Sequence, residues 1–229
     1  MHLLHLNVHS WVGSTSQSNA MAVRELIREQ QPDIVSLVEV DERWGPPEVL
    51  SSVADDLGYR WYFAPAFTYG EQESAEGSFG NAILARSSLL ACTSVQLSWP
   101  ARLYDGTEPS EARVLALAHL RVADGTELWF GSTHMPKSDA EARSQALERL
   151  LGLVPHLGSR WAVCGDFNAP PSSLSLPDEV RAVPDAIPSY PAERPVEELD
   201  YCLLPAGLAA TGRMLPLSVS DHLPLSVTF

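Results

Sequence analysis

Basic side chains are scarce in this sequence of 229 residues. Lysine and arginine together number 15 against 29 aspartates and glutamates, which gives a formal net charge of −14, and Lys137 is the only lysine. Sequence-independent affinity for nucleic acid comes largely from basic residues that displace counterions. The charge balance therefore argues against a protein that holds long duplexes, although a local rim of a few arginines is compatible with it.

Cysteines and long apolar runs are scarce as well. Cys92, Cys164 and Cys202 are an odd number without CxxC spacing, which argues against a disulfide framework and against a zinc site. No stretch approaches the ~18 continuous apolar residues of a membrane span. The N-terminal MHLLHLNVHSW lacks the basic segment that opens a secretory signal. We therefore expect a cytoplasmic protein without a membrane span.

What the sequence does contain is the composition of a globular protein, with 45% hydrophobic and 19% charged residues. The absence of repeats and compositional breaks predicts one α/β domain over residues 1–229 with a substantial core. The predicted strands are 3–8, 34–40, 80–86, 91–98, 112–122, 126–133, 160–165, 199–204 and 222–228. The turn ADGT predicts an antiparallel hairpin between two of them, so part of the sheet is expected to be antiparallel.

Helical periodicity interrupts the strands in three places. The predicted helices are 19–31, 46–57 and 138–153. In the first of these, Met21, Val23, Leu26 and Ile27 form the expected apolar face, and Pro32 ends the helix. Helices thus alternate with strands along the chain, and no internal repeat is visible.

Residues 163–170 read VCGDFNAP and place Asp166 and Asn168 directly after an apolar run. Glycine, aspartate and asparagine are ordinary turn residues at a strand end, so a turn alone explains this stretch. Polar residues lie at or near the ends of other predicted strands too, however. They are Asn7, Glu39, Asn81, His134, Asp200, Asp221 and His222.

Each of these residues also has a purely structural explanation. His134 and His222 could be core or surface histidines, Asn7 could cap a turn, and Asp221 could cap a helix or turn. Glu39 opens a run of acids that water could solvate. Together they indicate more, because clustered carboxylates cost several kcal/mol each to desolvate unless a cation or a proton neutralises them.

The metal type follows from the donor atoms. The cluster Asn7, Glu39, Asp166, Asn168 and Asp221 offers only oxygen donors, which favours Mg²⁺ or Mn²⁺ over zinc. Magnesium commonly shares its coordination shell with substrate phosphate oxygens. Phosphate-ester hydrolysis is very slow without a catalyst and requires up to roughly 20 kcal/mol of stabilisation from such a site. The residues therefore favour phosphoester chemistry.

Several motifs resemble the endonuclease/exonuclease/phosphatase superfamily, the group that includes DNase I, neutral sphingomyelinases and inositol polyphosphate 5-phosphatases. They are GDFN, SDH before the final strand, the THM stretch, LDY and the glutamate at the end of the second apolar strand. The motifs follow the family order from Asn7 to His222, and the combination of GDFN with SDH is specific. The resemblance implies a DNase I-like, four-layer α/β/β/α sandwich of two mixed β-sheets with an active site at one edge.

The resemblance also implies roles for the matching residues. Glu39 would be the principal ligand of a Mg²⁺ or Mn²⁺ ion, helped by Asn7 and Asp221. Asp166 would orient or deprotonate the attacking water, and Asn168 would hold that water or the phosphate in line.

The histidines would act on the phosphoryl group. The resemblance implies that His222, oriented by Asp200, binds phosphoryl oxygens and stabilises the transition state, and that His134 contributes a second donor. The stretch PSYPAERPVEELDY resembles the family's TFP…RIDY segment, with Ser189 replacing the threonine and Glu198 placing an acid where a base is common.

His134 also separates branches of the family. AP endonucleases resembling exonuclease III carry a tyrosine where this chain reads STHMPK, so abasic-site repair is disfavoured. DNase I pairs this histidine with a glutamate, whereas Asn81 occupies that vicinity here and is a candidate substrate-binding residue. Arg113 matches an arginine of smaller bacterial members and would touch substrate or brace the site. Its pairing with Glu108 or Glu111 is an equal alternative.

These observations favour a Mg²⁺-dependent phosphoesterase that uses an activated water to hydrolyse a phosphomonoester or phosphodiester, with a small molecule or lipid headgroup as its substrate. A DNase I-like nuclease is disfavoured by the acidic balance and the few stacking groups. A non-catalytic binding module is disfavoured because the catalytic positions are filled with competent residues. Substrate specificity is expected in the loops 9–18, 66–79, 99–111 and 170–198.

Overall fold

A computed structural model describes residues 1–13, 16–42, 47–68, 77–99, 112–122 and 124–229. The helices are α1 (Ala20–Gln30), α2 (Glu48–Ala54) and α3 (Ala140–Leu153). The strands are β1 (His2–Asn7), β2 (Ile34–Glu42), β3 (Arg60–Thr68), β4 (Ser78–Ala85), β5 (Ser88–Ser98), β6 (Arg113–Arg121), β7 (Glu127–His134), β8 (Trp161–Asp166), β9 (Val180–Val183), β10 (Asp200–Pro205), β11 (Thr211–Met214) and β12 (Leu225–Thr228). None of the helices in these described ranges has the length and apolar character needed to cross a membrane.

The strands form two six-stranded sheets. The first has the order β11-β12-β1-β2-β4-β3 and the second the order β5-β6-β7-β8-β10-β9. Each sheet contains one parallel pair, β1 with β2 and β7 with β8, and the other pairs are antiparallel. α1 connects the first parallel pair and α3 connects the second, as crossover connections of parallel strands require. The predicted hairpin is confirmed as β6–β7.

Three apolar layers hold the sheets and helices together. The inner faces of both sheets form the central layer, which includes Leu3, Ile83 and Phe130, all fully buried. A second layer packs α1 and α2 on the outer face of the first sheet, and a third packs α3 on the outer face of the second. Three buried layers between four layers of structure confirm the predicted α/β/β/α sandwich of two mixed sheets.

The helices follow their apolar periodicity with one exception. Val23, Leu26 and Ile27 of α1 are buried, but Met21 is 69% exposed, so its predicted inward position is wrong. Met21 lies two residues before Val23 and therefore about 200° around the helix axis from it, so Met21 faces away from the buried stripe of α1. Asp139 is the N-cap of α3, because its carboxylate accepts from the amides of Glu141 and Ala142 at 3.0 Å.

Three strands were not predicted. β3 contains Pro65 and is partly exposed along most of its length, as expected of an edge strand with a bulge between Pro65 and Phe67. β9 and β11 have four residues each, and β11 contains a glycine. Proline, glycine and short length are what weaken a strand pattern. The long loops predicted at 66–79 and 170–198 accordingly contain strand residues.

Candidate active site

The carboxyl ends of both parallel pairs carry the polar residues singled out in the sequence. Asn7 ends β1, and Glu39 lies near the end of β2 in the first sheet. His134 ends β7 and Asp166 ends β8 in the second sheet, opposite each other in the β7–β8 register. Carboxyl ends of parallel strands are where α/β sheets commonly bind ligands. The two sheets thus contribute to one cluster.

Glu39 is aimed by a distortion of its strand. The β2–β4 register shifts between Leu37 and Val40, and Glu39 between them has φ +57°, which is unusual for a residue with a side chain. Such a bulge turns a side chain away from the regular alternation of the strand. Strain of this kind is typical of functional positions, and here it brings the carboxylate to Asn7.

Asn7 connects the acids of the two sheets. Its Nδ2 donates to Oε1 of Glu39 at 2.9 Å and lies 3.2 Å from Oδ2 of Asp166, while its Oδ1 accepts from the amide of His9. Glu39 and Asp166 are therefore gathered around one amide group. Asn7 and Asp166 are almost completely buried.

The GDFN stretch forms a compact turn immediately after β8. The backbone amide of Asn168, whose φ is +52°, donates to Oδ1 of Asp166 at 2.9 Å. The side-chain nitrogen of Asn168 donates to the carbonyl of Met135 at 2.9 Å, just beyond His134. This turn holds Asp166 through one oxygen and leaves its Oδ2 directed toward Asn7 and the two histidines.

His222 and Asp200 form a buried ion pair. Nδ1 of His222 donates to Oδ2 of Asp200 at 2.7 Å. Burial alone would lower the pKa of His222, but the Asp200 and Asp166 carboxylates outweigh burial and raise it to about 10. Burial likewise opposes ionisation of Asp200, but the charge and hydrogen bond of His222 hold the pKa of Asp200 well below its ordinary value. His222 is consequently an imidazolium at neutral pH.

Asp166 has the opposite perturbation. Burial and the nearby negative charge of Asp200 raise its pKa to about 7, in spite of the attraction of His222. Its Oδ2 lies 3.7 Å from Nε2 of His222 and 3.6 Å from Nε2 of His134. A carboxylate with a pKa near neutrality can accept a proton under physiological conditions.

His134 is paired with Arg113. Nη1 of Arg113 lies 2.9 Å from Nδ1 of His134. A guanidinium only donates, so Nδ1 accepts and the ring proton is on Nε2, facing Asp166. Burial, Arg113 and His222 hold the pKa of His134 well below its ordinary value. This histidine is therefore neutral. The alternative partners of Arg113, Glu108 and Glu111, lie outside the described residues.

Two other predicted site residues lie apart from these contacts. Asp221 is partly exposed, and its Oδ1 lies 3.1 Å from Nδ1 of His9 and accepts from Ser220. Asn81 is buried between the sheets, where its Nδ2 donates to the carbonyl of Val114 at 2.8 Å. Asn81 on the first sheet is thereby bonded to β6 of the second.

The residues present suit a divalent cation. Among the described residues, Asp166, Asp200 and His222 offer ligand atoms within 4.8 Å of one another. Both oxygens of Asp200 are already hydrogen-bonded, however. Glu39 and the Asn7 amide, beside the Asp166 carboxylate, form the better donor set, because oxygen ligands suit Mg²⁺ or Mn²⁺. The raised pKa of Asp166 indicates negative charge that a cation would neutralise.

Sequence reasoning did not identify His5. It is fully buried, and its ring nitrogens lie 3.0 Å from Oδ1 of Asp200 and 2.9 Å from Oγ of Ser36. The one available signal was its period-2 spacing from Asn7, which puts both side chains on the same face of β1. His9, next to Asp221, was also missed, and its positive φ of 46° is not visible in the sequence.

Comparison with known proteins supports the geometry. The model of the Endonuclease/Exonuclease/phosphatase family matches residues 10–222. No curated protein sequence gave a significant match. An endonuclease/exonuclease/phosphatase family protein from Bacteroides thetaiotaomicron is similar in structure, with a TM-score of 0.78, 16% identity, and coverage of 99% of this chain and 96% of that one.

Two further solved structures are similar over nearly their full lengths. A mannosyl-6-phosphatase from Bacteroides thetaiotaomicron has a TM-score of 0.73 and 15% identity, with coverage of 100% of this chain and 98% of that one. The human Nocturnin catalytic domain with bound sulfate has a TM-score of 0.72 and 21% identity, with coverage of 100% and 93%. At these identities the likeness concerns the fold.

Proposed function

Because the chain belongs to the endonuclease/exonuclease/phosphatase family, whose members are hydrolases acting on phosphoester bonds, we propose that it is a Mg²⁺- or Mn²⁺-dependent phosphoesterase. The proposed reaction is in-line attack of an activated water on a phosphomonoester or phosphodiester. The proposed substrate is a phosphorylated small molecule or a lipid headgroup.

One observation carries this proposal: Oδ2 of Asp166 lies within 3.7 Å of a nitrogen of both His134 and His222 and 3.2 Å from the amide of Asn7. The cluster combines a proton acceptor with two nitrogen donors of different charge. Hydrolysis of a phosphoester requires a base for the water and donors for the charge on the phosphoryl oxygens.

Glu39 and Asn7 would hold the cation, and Asp221 is the third candidate ligand because it immediately precedes His222. When bound, the cation would polarise the phosphoryl group and neutralise charge that develops on it. Glu39 suits this role because its bulged backbone fixes the carboxylate beside Asn7. The side-chain nitrogen of Asn7 bonds to both acids. Rotation of this side-chain amide would exchange its nitrogen and oxygen, so that the oxygen could bind the cation.

Asp166 is the proposed base. Its pKa of about 7 allows it to take a proton from water near neutral pH. Asn168 keeps Oδ1 of Asp166 engaged through its backbone amide, so that Oδ2 is the basic oxygen. The Asn168 side chain is anchored to the Met135 carbonyl, next to His134, and is the group proposed to steady the water or the phosphate.

His222 and His134 are the proposed phosphate-binding donors. His222 supplies a charged Nε2–H, since Nδ1 is bonded to Asp200. His134 supplies a neutral Nε2–H, since Arg113 donates to its Nδ1. Preorganised donors of this kind stabilise charge that develops in the transition state, and losing one costs about 10²–10³ in kcat.

The charge of the chain supports a small substrate. With a net charge of −14 and a single lysine, the protein has few groups to neutralise a row of phosphates. One of the similar structures is that of a mannosyl-6-phosphatase. A phosphorylated sugar belongs to the substrate class proposed here. A nuclease would instead require a basic groove along the nucleic-acid backbone.

The proposal is tested with phosphomonoesters, phosphodiesters and plasmid DNA, each assayed with Mg²⁺, with Mn²⁺ and with EDTA. We expect metal-dependent release of phosphate or alcohol from at least one small ester and no nicking of the plasmid. Asp166→Asn and His222→Gln should reduce kcat by about 10²–10⁴. His156→Gln, at an exposed histidine, is the matched control and should be fully active.

Two results would contradict this function. One is a lack of turnover of every ester with metal supplied. The other is turnover that the Asp166 and His222 substitutions leave unchanged. Plasmid nicking faster than hydrolysis of any small ester would replace the small-molecule substrate with nucleic acid.

A further inference from the structure

His5 donates a hydrogen bond to the Asp200 carboxylate on the oxygen that His222 does not use. We propose that His5 is a positioning residue, which fixes Asp200 and through it sets the orientation of the phosphate-binding ring of His222. The inference rests on the proposed function, since it concerns the same site.

Hydrogen bonds to both oxygens fix the orientation of the Asp200 carboxylate. Oδ1 accepts from Nε2 of His5 at 3.0 Å, and Oδ2 accepts from Nδ1 of His222 at 2.7 Å and from Oγ of Ser189 at 2.6 Å. The backbone amides of Leu199 and Asp200 donate to the Ser189 hydroxyl oxygen, so its proton is directed to Asp200. With donors on both oxygens, the carboxylate cannot rotate about its χ2 bond without breaking a buried hydrogen bond.

His5 donates to Asp200 whether its ring is neutral or charged. An ionised carboxylate only accepts, so Nε2 of His5 carries the hydrogen in both states. Nδ1 faces the Ser36 hydroxyl at 2.9 Å, which can donate to a neutral ring or accept from a charged one. The positioning role therefore does not require His5 to change its protonation state.

The hydrogen bonds that hold the His5 ring connect the two sheets. Oγ of Ser36 lies 2.7 Å from Oγ of Ser132, which is within 3.3 Å of the carbonyl of Leu37. His5 and Ser36 belong to the first sheet, whereas Ser132 and Asp200 belong to the second. His5, Ser36 and Ser132 have no exposed surface. This chain of polar groups fixes the imidazole of one sheet against the carboxylate of the other.

His5 acts at a distance from the reacting atoms. Within the described residues its two ring nitrogens bond to Asp200 and Ser36. The groups proposed to meet the substrate are Asp166, His134 and His222, and Nε2 of each histidine lies within 3.7 Å of Oδ2 of Asp166. A loss of His5 should therefore change turnover through the angle of the His222 ring rather than through direct loss of a substrate contact.

Two amide substitutions test whether the hydrogen bond to Asp200 matters or only a polar side chain at position 5. The amide of His5→Gln reaches about as far as Nε2 and can still donate to Asp200, whereas the amide of His5→Asn reaches only the position of Nδ1. We expect His5→Asn to lower kcat by about 10–100-fold with KM within about threefold, and His5→Gln to recover most of that loss. The matched control is His2→Gln, which removes a histidine–serine hydrogen bond, to Ser226, from the same strand.

A double substitution tests whether Asp200 is the intermediary. In an Asp200→Asn background, His5→Asn should cause less than about a threefold further loss of kcat, because residues that act as a unit are not additive. Ser36→Ala, which leaves the His5–Asp200 bond in place, should lower kcat only severalfold and applies if His5→Asn does not fold. Additive losses, or equal losses in the two His5 amide variants, would overturn the proposal.

A measurement without substrate separates this inference from the proposed function. The proton between His222 and Asp200 should give a downfield ¹H NMR resonance, assigned by its absence in His222→Gln. We expect this resonance to shift or broaden in His5→Asn and to persist in His5→Gln. If it is absent from the wild type or unchanged in His5→Asn, His5 does not position the pair, whatever the enzyme assays show.

Discussion

His134 and His222 both approach Oδ2 of Asp166, at 3.6 and 3.7 Å, but their surroundings give them different charges. Asp200 and Asp166 raise the pKa of His222 to about 10, whereas burial and Arg113 lower the pKa of His134. Titratable groups with pKa values pushed apart are typical of sites that divide acid, base and donor roles. The partner of each ring, rather than the ring itself, decides what it contributes.

Arg113 provides the test of this division. Arg113→Gln should raise the pKa of His134 and release its fixed tautomer, so we expect kcat to fall by about tenfold. Arg113→Lys, which keeps the positive charge, should lose less. The checks are steady-state kinetics and ¹⁵N NMR of the His134 ring nitrogens.

The control for Arg113 lies on the same strand. Arg121→Gln removes an exposed ion pair with Glu127 and should leave kcat unchanged. A wild-type rate and an unchanged His134 tautomer in Arg113→Gln would show that the 2.9 Å contact has no part in the reaction.

At this scale the sequence predicted residue types better than partners. The motifs singled out Asp166, Asp200 and His222, and the structure brings these side chains together. His5 could not be found in this way, because a histidine between two leucines is typical of a buried strand and Asp200 is 195 positions further along the chain. A partner at that separation depends on how two sheets pack, which no local pattern specifies.

Gly165 shows how one element constrains the site. β8 runs parallel to β7, and a Cβ on Gly165 would collide with the backbone carbonyl of Thr133 on that strand. The glycine of the GDFN motif is therefore required by the close approach of the strands that carry His134 and Asp166. A larger residue would separate these two side chains.

Substitution of this glycine should affect both stability and activity. We expect Gly165→Ala to destabilise the fold by about 2 kcal/mol or more and to abolish most activity, because backbone must move to relieve the contact. Gly152→Ala is the matched control, since Gly152 lies in α3 with nothing within 4 Å of an added Cβ. The control should stabilise the protein by up to ~1 kcal/mol.

Urea unfolding and kcat of both variants provide the measurement. If the two variants had the same stability and kcat, β7 and β8 would tolerate a wider spacing. The close approach of these strands would then not explain the glycine of the GDFN motif.

At the scale of elements, regular periodicity was predictable and local irregularity was not. The long helices, the hairpin and the buried strands follow their apolar patterns. The bulge at Glu39 and the edge strand β3 do not, because both depend on pairing with β4 rather than on their own residues. The sequence therefore pointed to Glu39 as a polar residue near a strand end but contained no sign of its φ of +57°.

Across the whole molecule, Asp166 couples stability to pH. Its folded pKa of about 7 lies above its ordinary value of 3.8. The folded state therefore binds more protons than the unfolded state between these values. The stabilising contribution is complete below about pH 4 and is lost as the pH rises through about 7. In the metal-free protein, Asp166→Asn should thus be more stable than the wild type at pH 7.5, by about 1–4 kcal/mol, and not at pH 4.

The measurement is urea denaturation of both proteins in EDTA at the two pH values, repeated with Mg²⁺. Added Mg²⁺ should stabilise the wild type more than Asp166→Asn at pH 7.5, because a cation offsets the buried charge. An equal stability difference at both pH values would show that ionisation of Asp166 does not destabilise the folded protein.

The cluster draws its members from both sheets: Asn7 and Glu39 from the first, and His134, Asp166 and Asp200 from the second. The thickness of the apolar layer between the sheets thus sets the gap across which the two halves of the site face each other. A side chain such as Phe130, buried in that layer, works as a spacer. A change in its volume should alter the distance between the sheets, and with it the distance between the two halves of the cluster. Turnover would then change although no residue of the cluster itself had been substituted.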